Sequence, residues 1–152
     1  MTDTSHDIRT LNGLIATTLD SVDGYTEAAK DAENTRYADM FTTRASERRS
    51  VVTLLQSEVV RMGGNAENDG TILAGAHRVF LNLKAAVTRR DDKAIVGEVE
   101  RGEDHILHKF QEALDDTALS STTMAAIQQA FTSVKAGHDQ MRDLKHSLEA
   151  AR

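Results

Sequence analysis

Four ionisable residues lie on predicted helix faces that are otherwise apolar. Arg44 and Arg48 fall on the apolar stripe of one helix, Glu103 on that of a second and His138 on that of a third. A charged group is expensive to remove from water unless it is paired and hydrogen-bonded. These residue types therefore predict either an ion pair between arginine and carboxylate or a metal site inside a helical bundle.

Composition and charge exclude several classes of function. The chain has 152 residues, a net charge of -6, no cysteine and no proline, which suits one domain over 1–152. It has neither a basic cluster nor an apolar run of about 20 residues, so we expect no nucleic acid and no membrane as partner. The N-terminal residues lack the regions of a signal peptide, which predicts a cytoplasmic location. No phosphate loop, nucleophile elbow or zinc-finger spacing occurs; a protein that is not an enzyme is the preferred interpretation, and the question stays open.

Helical periodicity accounts for most of the sequence. Apolar residues recur three and four positions apart in five segments, which predicts helices over about 7–32, 34–62, 71–88, 92–115 and 121–149. Gly63 and Gly64 end the second helix, and Asp91 and Asp92 cap the fourth. The chain is therefore predicted to be all-α, with two long helices on either side of a crossover that contains a shorter one.

This connectivity is that of a ferritin-like four-helix bundle. Three stretches, 70–80, 100–105 and 134–139, resemble a family of bacterial ferritin-like four-helix-bundle proteins of unknown function: GTILAGAHRVF, ERGEDH and VKAGHD. The resemblance covers about 8–148. It implies a ferritin-like bundle with a helical crossover between the second and third long helices, and it implies no particular activity.

The resemblance also raises the question of a metal centre. Ferritin-like di-metal enzymes place a carboxylate on each of two helices and a Glu-x-x-His pair on each of the other two. Here Ser50 stands where the histidine after Glu47 belongs, and Lys135 stands where the glutamate before His138 belongs. A standard di-iron site is disfavoured. A reduced site for iron or manganese stays an alternative, with Glu47, Glu103, His138, Glu100 and Asp23 as its ligands.

Depth along the bundle favours an ion pair instead. If the turn between the first two helices and the start of the fourth lie at one end, Glu103 is at nearly the same depth as Arg44 and Arg48. We therefore expect one of these arginines to bind both oxygens of Glu103 through its guanidinium fork. His138 is expected to be a hydrogen-bonded core residue with Tyr25 as its partner. These five residues form the predicted interior polar layer.

Three functions of different classes remain open. The preferred one is a non-catalytic bundle without a cofactor, which forms a homodimer, acts through protein contacts and has a role in stress physiology. The second is a di-metal carboxylate oxidoreductase or iron-handling protein. The third is a small-ligand binder with a cavity beside His138 and Tyr25.

Overall fold

Four long α-helices make up most of the protein. The computed structural model describes residues 4–68 and 91–150. The helices are α1 (Ser5–Asp31), α2 (Thr35–Arg61), α3 (Asp92–Leu114) and α4 (Ser121–Ala150). No strand occurs in these two stretches, and the prediction of an all-α fold is confirmed. The helix predicted over 71–88 and the resembling stretch 70–80 lie outside the described residues.

The helices pack as two hairpins. α1 packs mainly against α2 and α3 mainly against α4, and the hairpins meet through α2 with α4 and α1 with α3. Asp92 accepts hydrogen bonds from the backbone N–H groups of Glu33 and Asn34, each at 2.9 Å. This carboxylate holds the start of α3 against the turn between α1 and α2. Residues equally far from that end therefore lie at similar depths.

Local signals set the helix ends. Asn34 accepts from the backbone N–H of Arg36 at the start of α2, and Asp91 accepts from that of Lys93 at the start of α3. Gly63, with φ of 81°, follows the end of α2 in the left-handed conformation that glycine favours. None of the described helices is long and apolar enough to cross a membrane.

The core consists of two apolar clusters. One surrounds Leu11, Leu55 and Phe110, and the other surrounds Tyr25, Phe41 and Met141. Two fully buried charged residues lie between these clusters: Arg48 on α2 and Glu103 on α3. The apolar clusters thus enclose a thin polar layer on both sides.

Asp7 of α1 acts as a tertiary cap for α4. Its carboxylate is buried and accepts from the backbone N–H of Ser120 at 3.1 Å, immediately before α4 begins. Burial alone would raise the pKa of Asp7, but hydrogen bonds from Ser120 and Thr123 lower it below its usual value. The charged carboxylate therefore stabilises the fold above about pH 4, and this contribution is lost as the pH falls through the lowered pKa.

We expect Asp7→Asn to lower the free energy of unfolding at pH 7 by about 1 kcal/mol, because the neutral amide loses the charge-assisted cap. Urea unfolding at several pH values measures this. The difference from wild type should shrink as the pH falls toward about 3. The matched control is Asp39→Asn on an exposed position of α2, which should change little. Equal effects at pH 7 and pH 3 would contradict the assignment.

Candidate functional site

Three side chains from three helices meet in the interior polar layer. Tyr25 of α1, Arg48 of α2 and Glu103 of α3 are each 0% exposed. The Tyr25 hydroxyl donates to Oε1 of Glu103 at 2.5 Å, and Nη2 of Arg48 donates to Oε2 at 2.7 Å. Each carboxylate oxygen thus accepts from a different residue. The expected bidentate fork of arginine on both oxygens does not form: Arg48 donates to one oxygen and Tyr25 donates to the other.

The guanidinium of Arg48 is enclosed by an aromatic ring and a glycine. Its Cζ lies 5.6 Å from the centroid of the Tyr25 ring, and that ring lies 6.0 Å from the ring of Phe41. On the side of α4, a Cβ atom at Gly137 would lie only 2.5 Å from Nη2. A cation over an aromatic face is attracted by the ring quadrupole, which offsets part of the cost of burial.

The electrostatics keep Arg48 and Tyr25 each in one protonation state. Burial alone lowers the pKa of Arg48, but the negative charge of Glu103, the Coulombic effect of Tyr25 and the hydrogen bond to Glu103 together outweigh it, and the pKa is raised above its usual value. Burial raises the pKa of Tyr25, and the neighbouring Glu103 charge raises it further. Arg48 therefore stays a cation and Tyr25 stays a neutral donor throughout the physiological range. Such a network suits structural stabilisation better than proton transfer.

The layer contains more donors than acceptors. Nε and Nη1 of Arg48 are buried and have no hydrogen-bond partner in residues 4–68 and 91–150, while Nη2 also approaches the carbonyl oxygen of Val134 at 3.5 Å. A buried donor without a partner carries a desolvation cost. The charge of Glu103, rather than complete hydrogen bonding, is therefore the main compensation for burying this arginine.

Arg44 and His138 lie at the edge of the bundle, which differs from the prediction. The Arg44 side chain is 12% exposed, donates to Gln140 at 2.8 Å and forms an ion pair with Glu47. His138 is also 12% exposed by side chain. The reason is the rotation of α4, whose buried positions in this region are Val134, Gly137 and Met141. Tyr25 is consequently bound to Glu103 and not to His138.

His138 instead links α4 to α3. Its Nε2 lies 2.6 Å from Oδ1 of Asp104, and its Nδ1 lies 3.0 Å from Oδ1 of Asp139. Burial alone lowers the pKa of His138, but the hydrogen bonds to Asp139 and Asp104 raise it above its usual value. Hydrogen bonds from Lys135 and His138 lower the pKa of Asp139 to about 2. Both ring nitrogens can donate only in the imidazolium form.

We expect His138→Gln to be destabilising at pH 6 and nearly neutral at pH 9. A raised folded-state pKa adds stability below the unfolded pKa of about 6.5, and this is lost as the pH rises through the folded-state value. The expected loss at pH 6 is about 0.5–1 kcal/mol, since Asp104 is mostly exposed. Chemical unfolding at both pH values measures it. The control is His108→Gln at an exposed pair with Glu112; a larger loss at pH 9 would contradict the link.

The alternative metal ligands are not assembled into one site. Glu47 is paired with Arg44, and Oε2 of Glu100 lies 3.3 Å from Nζ of Lys145. Both oxygens of Glu103 accept hydrogen bonds. Asp23 is exposed on α1, and His138 is held by two aspartates. Within the described ranges, no group of three or more His, Asp or Glu side chains is arranged to hold a metal ion. The proposed reduced site for iron or manganese therefore does not fit these residues.

Three surface grooves are lined by residues outside the interior polar layer. A groove of about 350 Å³ separates α1 from α3 near Gly13 and Lys109, and one of about 360 Å³ lies near Gly97 and Leu148. A third, of about 300 Å³, lies between α1 and α2. Neither His138 nor Tyr25 lines any of these three. They give no support to a ligand cavity at the predicted place.

The helix order and packing define a ferritin-like four-helix bundle. A solved structure of similar fold is the bacterioferritin-related protein from Bacteroides fragilis, described as a dodecameric thioferritin. Its TM-score is 0.77 with 14% sequence identity, over 97% of this chain and 89% of that one. The predicted fold class is thereby confirmed.

The chain belongs to the family described as Domain of unknown function (DUF2383), whose model matches residues 6–116. The matched region contains Tyr25, Arg48 and Glu103 and ends before α4 begins. No curated protein matches the chain significantly.

Sequence reasoning missed two parts of the site. It did not assign Asp104 and Asp139 to His138, although Asp139 follows it directly in the chain. It also overlooked Gly137, which lies against the buried guanidinium. A glycine in the middle of a long helix with no nearby break was the available signal, because glycine is a poor helix former.

Proposed function

We propose that this protein is a non-catalytic ferritin-like bundle that acts through protein contacts, including contacts with copies of itself. The observation that carries the proposal is the network of Tyr25, Arg48 and Glu103 in the interior. It lies in the bundle core between facing helices, which is where ferritin-like di-metal proteins place their metal ligands.

Burial and charge support a structural role for this network. All three side chains are 0% exposed, so a substrate has no direct approach to them. Glu103 already accepts from two donors and is neutralised by Arg48. A carboxylate that binds a catalytic metal needs an oxygen directed at the metal, whereas both oxygens of Glu103 accept hydrogen bonds from side chains. The network is therefore better suited to holding three helices together.

Self-association is supported by the fold and not by a particular surface. The similar bacterioferritin-related protein is described as a dodecamer, and closed symmetric assemblies are the commonest form of soluble oligomers. We propose a homodimer as the smallest functional unit. A cytoplasmic location and a role in stress physiology complete the proposal and rest on the sequence and its resemblance to ferritin-like proteins.

The test combines metal content with oligomeric state. Untagged protein purified without chelators is analysed by elemental mass spectrometry and by light scattering after gel filtration. We expect far less than one iron or manganese per chain and a mass at least twice the 16.6 kDa of one chain.

Two outcomes would contradict the proposal. About one or two iron or manganese ions per chain, lost in Glu103→Ala and kept in the surface control Glu112→Ala, would favour the oxidoreductase or iron-handling alternative. A mass of one chain in light scattering at about 100 μM protein, with no other protein bound, would contradict self-association.

A further inference from the structure

We propose that the interior polar layer is a binding site for one cation. The guanidinium of Arg48 always fills this site, and Gly137 leaves the space that the guanidinium needs. The inference deepens the proposed function and rests on it, because it names the group that takes the place of a metal cation.

The layer requires a positive charge because of Glu103. This carboxylate is fully buried, and its other partner, Tyr25, is a neutral hydroxyl. At this depth α1 offers Thr18 and Ser21, whose hydroxyls donate to carbonyl oxygens of their own helix at 2.7 and 2.6 Å. Arg44 is occupied at the edge by Glu47. Arg48 is thus the cation that directly contacts Glu103, at 2.7 Å.

Space for the guanidinium depends on Gly137. A Cβ atom there would lie 2.5 Å from Nη2 of Arg48 and 3.4 Å from Cδ of Arg44, and real Cβ contacts are essentially never shorter than 3.0 Å. A side chain at this position would require Nη2 of Arg48 to shift, and Nη2 is the atom that donates to Glu103. Because glycine weakens a helix interior, its presence in α4 is explained by this close approach and not by helix formation.

A matched pair of glycine substitutions tests the steric part. Gly137→Ala should lower the melting temperature by roughly 5 °C, although alanine is the better helix former. The control is Gly97→Ala in α3, where the added Cβ has no atom within 4 Å, and it should raise the melting temperature. In an Arg48→Met background the loss caused by Gly137→Ala should disappear. An equal loss in both backgrounds, or a gain in wild type, would overturn the role of Gly137.

Chemical rescue tests the cation part. Arg48→Ala is refolded with methylguanidinium chloride or with methylurea, its neutral analogue, at equal concentration and ionic strength. Methylguanidinium should raise the melting temperature in a saturable manner and methylurea should not. The rescue should be absent in Arg48→Ala/Glu103→Gln, which lacks the negative charge.

Equal effects of the two compounds would overturn the cation site. If Arg48→Ala stays unfolded with either compound, the comparison of Gly137→Ala with Gly97→Ala tests the proposal instead. Both glycine variants retain Arg48. Metal in the wild-type protein would contradict the proposed function without producing either of these failures, so the two proposals fail separately.

Discussion

Glu103→Ala is expected to lower the free energy of unfolding by about 3–5 kcal/mol, because it leaves the fully buried Arg48 without its counter-charge. The substitution also removes the acceptor for the Tyr25 hydroxyl. In a protein of this size the melting temperature should fall by roughly 10 °C or more. Urea unfolding followed by circular dichroism gives the free energy, and a thermal scan gives the melting temperature.

The control for this variant lies on the same helix. Glu112 is exposed and pairs with exposed His108, so Glu112→Ala should cost at most about 0.5 kcal/mol. If both alanine variants lose the same small amount, Glu103 is not half of a buried ion pair. Conservative Glu103→Gln should lie between wild type and Glu103→Ala, because the amide keeps an acceptor for Tyr25 and loses the charge.

Replacing the whole network by apolar residues should cost far less than breaking it. Arg48→Met alone is expected to lose about 3–5 kcal/mol, since Glu103 is then a buried carboxylate without a cation. The triple variant Tyr25→Phe/Arg48→Met/Glu103→Leu should lie within about 1 kcal/mol of wild type or be more stable. The physical reason is that no charge or hydroxyl is then left unpaired between the two apolar clusters.

Unfolding of the single and triple variants measures the coupling within the network. The sum of the losses of unfolding free energy in the three single variants should exceed the loss in the triple variant by several kcal/mol. The reason is that the effects of substitutions within one network are strongly non-additive. Additive losses would contradict a coupled network. A triple variant that keeps the oligomeric state of the wild type would further support a structural role for these residues.

Helix positions follow closely from local sequence. The observed helices α1, α2, α3 and α4 begin and end within two residues of the predicted bounds. Apolar spacing and caps act over a few residues, so they can be read without knowing what packs nearby. The same spacing placed Arg48 and Glu103 on buried stripes at similar depth, and the structure brings these two together.

The partners within the layer depended on helix rotation. Arg44 and Arg48 are four residues apart and share one stripe, so their spacing does not decide which one faces Glu103. The structure turns Arg48 inward and leaves Arg44 with Glu47 at the edge. Which oxygen of Glu103 accepts from Tyr25 and which accepts from Arg48 likewise depends on how the three helices pack together.

The sequence by itself determined that four long helices form a ferritin-like bundle with charge on its buried faces, because helix periodicity and capping are local properties. Only the tertiary structure decided that Gly137, and not His138, faces the layer. Neighbouring residues on a helix point about 100° apart, so the rotation of α4 in its packing decides which of the two faces the layer. That rotation is set by the fit of all the helices together, which no single stretch of sequence encodes.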